Sequence, residues 1–287
     1  MPKRLPPQAF VAAVLLFAGV SLTALLTTPQ AASPAAAGGD LARALQLQSD
    51  GDSAAARRLL SELAEGGDAL AQYNLGALLA DDDPALAARW YARAARGGEA
   101  RAAHNLGHLY LAGDGLPRDL AAAREAFARG AELGLAAARY NLGVLRESGI
   151  GGDPDPAAAQ ADYRVAAAAG HAPAALQLAR SLAVQSGGVA QLRALHWLAA
   201  AGDVARGRAD AALRQRLRRG EWRSVDRRVV NLRAAPNTNS AIVEKLQRDE
   251  RLLLLESRGD WLRIGRVGDP PTRGWVYAPL LRRADGP

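Results

Sequence analysis

A repeated unit between about residues 50 and 202 constrains the fold of this 287-residue chain more than any other feature. The tripeptide Asn-Leu-Gly occurs three times, and a degenerate fourth copy reads Gln-Leu-Ala. Successive units are 36 residues long, or 31–32 residues where a loop is shorter. Such periods are typical of arrays of paired helices, because one pair cannot bury its apolar face without a neighbour. The four copies begin at Asn74, Asn105, Asn141 and Gln177.

Positions that the units share indicate two helices in each unit. A glycine stands seven residues before each tripeptide, and alanines stand five and three residues before it. The alanines allow close helix approach, and each glycine supplies the positive φ that ends a helix. Pro84 and Pro156, each after an aspartate cap, predict the starts of second helices. The glycines are Gly67, Gly98, Gly134 and Gly170. A bulky apolar residue stands seven positions before each of them and before Gly202. These residues are Leu60, Tyr91, Phe127, Tyr163 and Leu195.

The second unit shows the pattern most fully, with Ala-x-Ala, Asn-Leu-Gly at 105–107, a Gly-Asp-Gly loop at 113–115, Phe127 and Gly134. This pattern resembles the Sel-one-like class of tetratricopeptide-type repeats. The first and last loops lack the Gly-x-Gly of that class. The resemblance implies a multidomain chain in which residues 40–202 form an α-solenoid of stacked helix pairs. It also implies an adaptor that binds proteins and not a catalyst.

From Arg227 onwards the pattern changes from helical to strand-like. Five short apolar runs are separated by turn signals, which suits a small all-β barrel. The sequences Asn-Leu-Arg-Ala-Ala-Pro, Gly-Asp-Trp-Leu and Gly-Trp-Val resemble a bacterial SH3-like domain over residues 223–283. That resemblance implies binding to cell-wall peptidoglycan or to a protein. The predicted strands are 229–232, 242–246, 252–255, 261–264 and 275–277, and residues 284–287 form a tail.

Residues 203–222 join the two regions and are rich in arginine. Ala205, Ala209, Leu213 and Leu217 recur every four residues and form one apolar stripe. We interpret the segment as a basic amphipathic helix that caps the open end of the solenoid. A helix that binds a membrane surface or nucleic acid is the alternative.

Residues 1–39 have the pattern of a signal peptide or signal anchor with a linker. Lys3 and Arg4 precede an apolar run over residues 9–26, and no charge follows directly. This asymmetry predicts that the N-terminus stays in the cytoplasm and the rest is exported, to the periplasm or the outer face of the inner membrane. Cleavage near Ala32 and retention as an anchor both remain open. Contact with the membrane is expected only through an uncleaved segment.

Charge and cysteine content narrow the possible functions. Residues 40–202 carry 15 arginines against 18 acidic residues, whereas residues 203–287 carry 19 basic against 11 acidic residues. A basic C-terminal part favours an anionic partner there. The chain has no cysteine, which excludes disulfides, thiolate nucleophiles and zinc bound by cysteine.

Candidate ligand-binding residues fall into two groups. In the barrel, aromatic rings suit stacking on a sugar or clamping a peptide, and arginines suit anionic cell-wall groups. Core packing is the alternative for each aromatic residue. In the repeats, Asn74, Asn105 and Asn141 are candidates for one binding face, with hydrogen bonding to neighbouring backbone as the alternative. The barrel candidates are Arg233, Trp261, Arg263, Arg273, Trp275 and Tyr277.

No motif predicts catalysis. His104 and His108 have the i, i+4 spacing of metal ligands, but His104 stands where Tyr73 and Tyr140 stand in other units, and no carboxylate lies between the two histidines. We therefore predict packing roles for them and no metal site. The glycine-rich loops lack the context of a phosphate-binding loop. We expect no catalytic residue, no cofactor and no enzymatic activity.

Two functions agree with these features. The first is an exported cell-envelope scaffold that binds a protein partner through the repeats and peptidoglycan or a second protein through the barrel. The second is a regulator or targeting subunit of a cell-wall-modifying enzyme. Binding to nucleic acid is not expected, because the chain is predicted to be exported.

Overall fold

A computed structural model describes residues 39–202, 204, 208–268 and 270–286, apart from the side chains at 208 and 209. The predicted export segment, with its cleavage near Ala32, lies before the described residues, and Ala205 falls in the gap. The chain divides into two compact units, up to Val165 and from Ala166 onwards. None of the described helices is long and apolar enough to cross a membrane.

The first unit consists of helices that pack on one another in chain order. This arrangement of stacked pairs confirms the predicted solenoid architecture. Its boundary with the second unit falls within the eighth helix, whereas the predicted domain limits follow the later change from helices to strands. The helices are α1 Gly39–Ser49, α2 Ser53–Glu65, α3 Ala69–Leu79, α4 Pro84–Arg96, α5 Ala100–Ala112, α6 Leu120–Glu132, α7 Ala136–Ser148 and α8 Pro156–Ala168.

Local sequence signals set the ends of these helices as predicted. Asp83 caps α4 by accepting a hydrogen bond of 3.0 Å from the Leu86 amide. Asp119, for which no cap was predicted, caps α6 in the same way through the amides of Ala121 and Ala122, at 3.0 and 2.9 Å. Each such cap stabilises a helix by about 1 kcal/mol. The glycines ahead of the first helices have φ values of 97°, 95°, 91° and 85°, at Gly67, Gly98, Gly134 and Gly170 respectively.

The glycine of each Asn-Leu-Gly copy allows an aromatic ring to approach the helix backbone. A Cβ atom added at Gly107 would lie 2.8 Å from the ring of Phe127. The same addition at Gly143 would lie 2.8 Å from Tyr163. A larger residue would displace the ring, so the repeated tripeptide and the repeated bulky residue form one packing motif.

The second unit begins with the last helix pair and the capping helix. The capping helix packs on both members of the pair. Arg180 of the pair and Asp210 of the capping helix form an ion pair of 2.6 Å, and the Asp210 carboxylate is buried. This helix lies within the segment 203–222 that was predicted as a capping helix or linker. The elements are α9 Ala172–Ala183, α10 Gly188–Ala200 and α11 Arg208–Leu217.

An antiparallel sheet of seven strands completes the second unit and confirms the predicted small all-β domain. Five strands match the predicted ones, but the first and last were missed. Each of these two is only four residues long and contains arginine, so neither shows an apolar run. The strand order is β3-β2-β6-β5-β4-β1-β7. The strands are β1 Trp222–Val225, β2 Val229–Arg233, β3 Ile242–Gln247, β4 Arg251–Arg258, β5 Trp261–Gly265, β6 Arg273–Tyr277 and β7 Leu281–Ala284.

Helix α10 packs directly against strands β4 and β5. Gly188 at the start of α10 faces the side chain of Leu255, and Gly265 of β5 faces Leu192, with no space for a side chain at either glycine. The last helix pair and the sheet therefore share a packed interface within one compact unit.

Candidate functional site

The register of three strands places the predicted barrel residues on one face of the sheet. Strand β6 alternates Arg273, Trp275 and Tyr277 with two residues that point to the opposite face. Arg233 of β2 and Arg263 of β5 both stand opposite Trp275. Trp261 stands opposite Tyr277, on the same face. The other face supplies the buried core of the domain, with Leu232, Leu262, Ile264 and Val276.

Two of the three aromatic rings are accessible to a ligand. Trp261 is half-buried and Tyr277 is 41% exposed. Their ring centroids lie 5.8 Å apart, with an angle of 58° between the rings. Such a tilted pair is a favourable aromatic arrangement. Trp275 is only 8% exposed, so its burial favours the packing role for that ring.

The arginines of this face differ in what they contact. Arg233 donates a hydrogen bond of 2.8 Å to the carbonyl of Ser240 and so holds the loop after β2. Arg263 pairs with Glu256 at 3.3 Å, and both side chains are exposed. An exposed ion pair is worth less than about 1 kcal/mol, so breaking this pair to free Arg263 for another anion would cost little.

Sequence reasoning missed one basic residue of this face. Arg258 stands opposite Trp261 in the pairing of β4 with β5, and its side chain is exposed. The predicted strand ended at residue 255, whereas β4 continues to Arg258. On this face of the sheet, neighbouring positions of β4, β5 and β6 therefore hold Arg258, Trp261 and Tyr277.

A cavity of about 340 Å³ lies within the second unit beside this face. The loop at residues 186–189 forms one wall, and Leu255, Glu256, Arg263 and Arg273 form the other. A ligand on the aromatic pair would therefore meet two guanidinium groups and a cleft against the helix pair.

The repeat asparagines are buried, not exposed. Asn74 donates a hydrogen bond of 2.7 Å to the Leu70 carbonyl. Asn141 contacts two histidines of the preceding unit. Burial favours the structural alternative for these residues, and a role in partner binding stays a prediction for Asn74, Asn105 and Asn141.

A groove of about 560 Å³ in the first unit is a second candidate binding surface. It lies between α4 and α6, with Leu106 and Tyr110 of α5 in its lining. The alanines that line it are too small to fill the space between the two helices. Sequence reasoning missed this groove because alanines in a repeat indicate close packing, not a gap. Arg96, Glu125 and Arg129 supply the charged part of the lining.

Comparisons with known proteins agree with this architecture. Residues 228–282 match the family described as the bacterial SH3 domain. A protective antigen of uropathogenic Escherichia coli strains, which displays an SLR fold, is 28% identical and has a TM-score of 0.49. That match covers 56% of this chain and 35% of the antigen, so this chain spans about a third of the antigen's length. No curated protein gives a significant match.

A Sel1 repeat protein from Oxalobacter formigenes is also similar. It is 35% identical to this chain, with a TM-score of 0.39, and the match covers 42% of this chain and 93% of that protein. By these comparisons the chain carries a bacterial SH3 domain at residues 228–282, and its helical part is similar to Sel1-repeat proteins.

Proposed function

We propose that this protein is an exported, non-catalytic scaffold of the cell envelope. The SH3 domain binds peptidoglycan, and the helical repeats bind a protein partner. The observation that carries this proposal is the shared face of Trp261, Tyr277 and the arginines around them. Both parts of the chain belong to classes of domain that serve in binding.

The chemistry of this face suits peptidoglycan. The glycan presents flat sugar surfaces, which stack on aromatic rings, and its peptides carry carboxylates, which pair with guanidinium groups. Trp261 and Tyr277 supply the rings, while Arg258, Arg263 and Arg273 supply the positive charge. The excess of basic residues in the C-terminal part adds attraction at longer range.

The groove between α4 and α6 suits a protein partner. Its apolar floor would bury a partner's side chains, while Arg96 and Arg129 would contact polar groups at the edge. Binding the wall with one domain and a protein with the other raises the local concentration of that protein at the wall. A targeting subunit of a cell-wall-modifying enzyme would use the same two surfaces, with that enzyme as the partner.

Export is the second part of the proposal. It rests on the basic residues Lys3 and Arg4 ahead of the apolar run over residues 9–26. A reporter that is active only outside the cytoplasm should be active when it is fused after Gly39. Activity of a cytoplasmic reporter at the same position would contradict export.

Co-sedimentation with isolated peptidoglycan tests the binding proposal. The full chain should sediment with the wall, and added salt should weaken this binding. A double variant, Trp261→Ala with Tyr277→Ala, should remain in the supernatant. Arg283→Ala, which changes an exposed arginine of β7, serves as the matched control and should bind like the wild type.

The other outcomes identify what has failed. If the double variant sediments as the wild type does, the aromatic face is not the site. If the wild type itself does not sediment, the domain does not bind the wall. Crosslinking in intact cells then shows whether either surface holds a protein, and whether that protein is a cell-wall-modifying enzyme.

A further inference from the structure

Three polar side chains meet in the interior of the first unit, where the second repeat contacts the third. His104 and His108 lie one turn apart on α5, and their Nε2 atoms are 3.3 Å apart. The side-chain amide of Asn141, on α7, lies 3.0 Å from the first Nε2 atom and 3.2 Å from the second. All three side chains are buried, with Phe127 packed edge-on against both imidazole rings.

Hydrogen bonds alone do not satisfy this triangle of atoms. A neutral imidazole offers one N–H group and one lone pair. If the Asn141 amide donates to both Nε2 atoms, the two imidazole lone pairs face each other without a proton. If one Nε2 atom carries a proton and donates it to the other, that N–H group also faces the NH₂ group of Asn141. The NH₂ group has no lone pair with which to accept a hydrogen bond. One of the three contacts therefore lacks a hydrogen bond in either arrangement.

A metal ion would satisfy all three contacts at once. A half-turn of the Asn141 amide exchanges its nitrogen and oxygen without changing the shape of the side chain. Its oxygen and both Nε2 atoms then form the three corners of one ligand triangle. Bonds of about 2.0–2.1 Å in a tetrahedral site place neighbouring ligand atoms about 3.3 Å apart. The observed separations of 3.0–3.3 Å match this spacing.

We propose that His104, His108 and Asn141 form a binding site for a divalent first-row metal ion of the class that prefers imidazole, such as Zn²⁺. Imidazole nitrogen suits zinc, copper, nickel and cobalt, whereas Mg²⁺ and Ca²⁺ prefer oxygen ligands. Three protein ligands leave a fourth position for water. No carboxylate belongs to the set, so the site holds its ion more weakly than a structural zinc site.

The repeat fold does not require the histidine pair. At the same two positions the first repeat has Tyr73 and Ala77, and the third repeat has Tyr140 and Val144. Those repeats form the same helices with residues that do not bind metal. The pair is therefore a feature of the second repeat and offers a matched variant, in which His104→Tyr and His108→Ala restore the residues of the first repeat.

Titration of the untagged, chelator-treated full chain with Co²⁺ tests the site. The wild type should bind one equivalent with the visible absorption of a tetrahedral cobalt site, and Zn²⁺ should displace the cobalt. The double variant His104→Tyr with His108→Ala should bind at least about tenfold more weakly. His196→Gln, which changes a histidine outside the site, should bind like the wild type.

A second variant tests the role of the amide. Asn141→Asp provides a charged oxygen ligand in place of a neutral one and should bind Co²⁺ more tightly than the wild type. The proposal is wrong if neither the wild type nor Asn141→Asp shows the cobalt absorption. It is also wrong if the double histidine variant binds as the wild type does.

Discussion

The helical repeats and the sheet use aromatic side chains in opposite ways. In the repeats, Tyr91, Phe127 and Tyr163 are buried and pack against glycines of a neighbouring helix. In the sheet, Trp261 and Tyr277 pair across two strands and leave much of their surface open to solvent. An aromatic ring at a repeated position thus supports the fold, whereas Trp261 and Tyr277 on the strand face are accessible to a ligand.

Truncation of a buried repeat aromatic should have the largest effect. Phe127→Ala removes a fully buried ring and should lower the free energy of unfolding by about 3–5 kcal/mol. Urea unfolding followed by circular dichroism measures the change. Phe127→Leu keeps most of the volume and serves as the control. A loss below about 1 kcal/mol for the alanine variant would show that the ring does not hold the repeat together.

Acid should weaken the repeats through His108. Burial lowers the pKa of His108 from 6.5 to about 4. The unfolded chain therefore binds a proton below pH 6.5 that the folded chain rejects, and stability falls as the pH drops towards 4. The loss levels off below pH 4, at roughly 3 kcal/mol.

Unfolding of the full chain at several pH values, with a chelator present, measures this loss. The variant His104→Tyr with His108→Ala should lack the part of the pH dependence between pH 6.5 and 4. An unchanged pH dependence in that variant would assign the effect to other groups.

Loss of a helix cap should have a smaller effect. Asp119→Ala removes the oxygen that accepts hydrogen bonds from two amides at the start of α6, and should cost about 1 kcal/mol. Thermal unfolding measures the change, and Asp119→Asn retains an acceptor and should be close to the wild type. Equal losses in both variants would point to the charge of Asp119 instead of its hydrogen bonds.

Truncation of an aromatic residue on the sheet face should affect stability least. Tyr277→Ala removes an exposed ring and should change the free energy of unfolding by less than about 1 kcal/mol. The same variant should lose most of its binding to peptidoglycan. A large loss of stability with binding intact would reverse the contrast between the two regions.

Sequence reasoning predicted the features that rest on local rules. The helix cap at Asp83 and the positive φ values of the repeat glycines both follow from spacing. It missed β1 and β7 because each strand is too short to show a pattern of its own. Strand β1 lies between β4 and β7 in the sheet, and such pairing is not visible in the sequence.

Contacts between distant residues also escaped prediction. The spacing of His104 and His108 was visible, but the approach of Asn141, more than thirty residues later, was not. The groove between α4 and α6 is likewise a product of three helices together. In both places the sequence identifies the parts, and only the stacking of units shows which parts meet.

The packing of α10 against β4 and β5 has a consequence for how such proteins diversify. Since the sheet packs on a helix of the last pair, a gain or loss of whole repeats within α1–α7 would leave that interface unchanged. The array can then change its length while the SH3 domain keeps its own support. The number of repeats and the support of the SH3 domain can in this sense change independently.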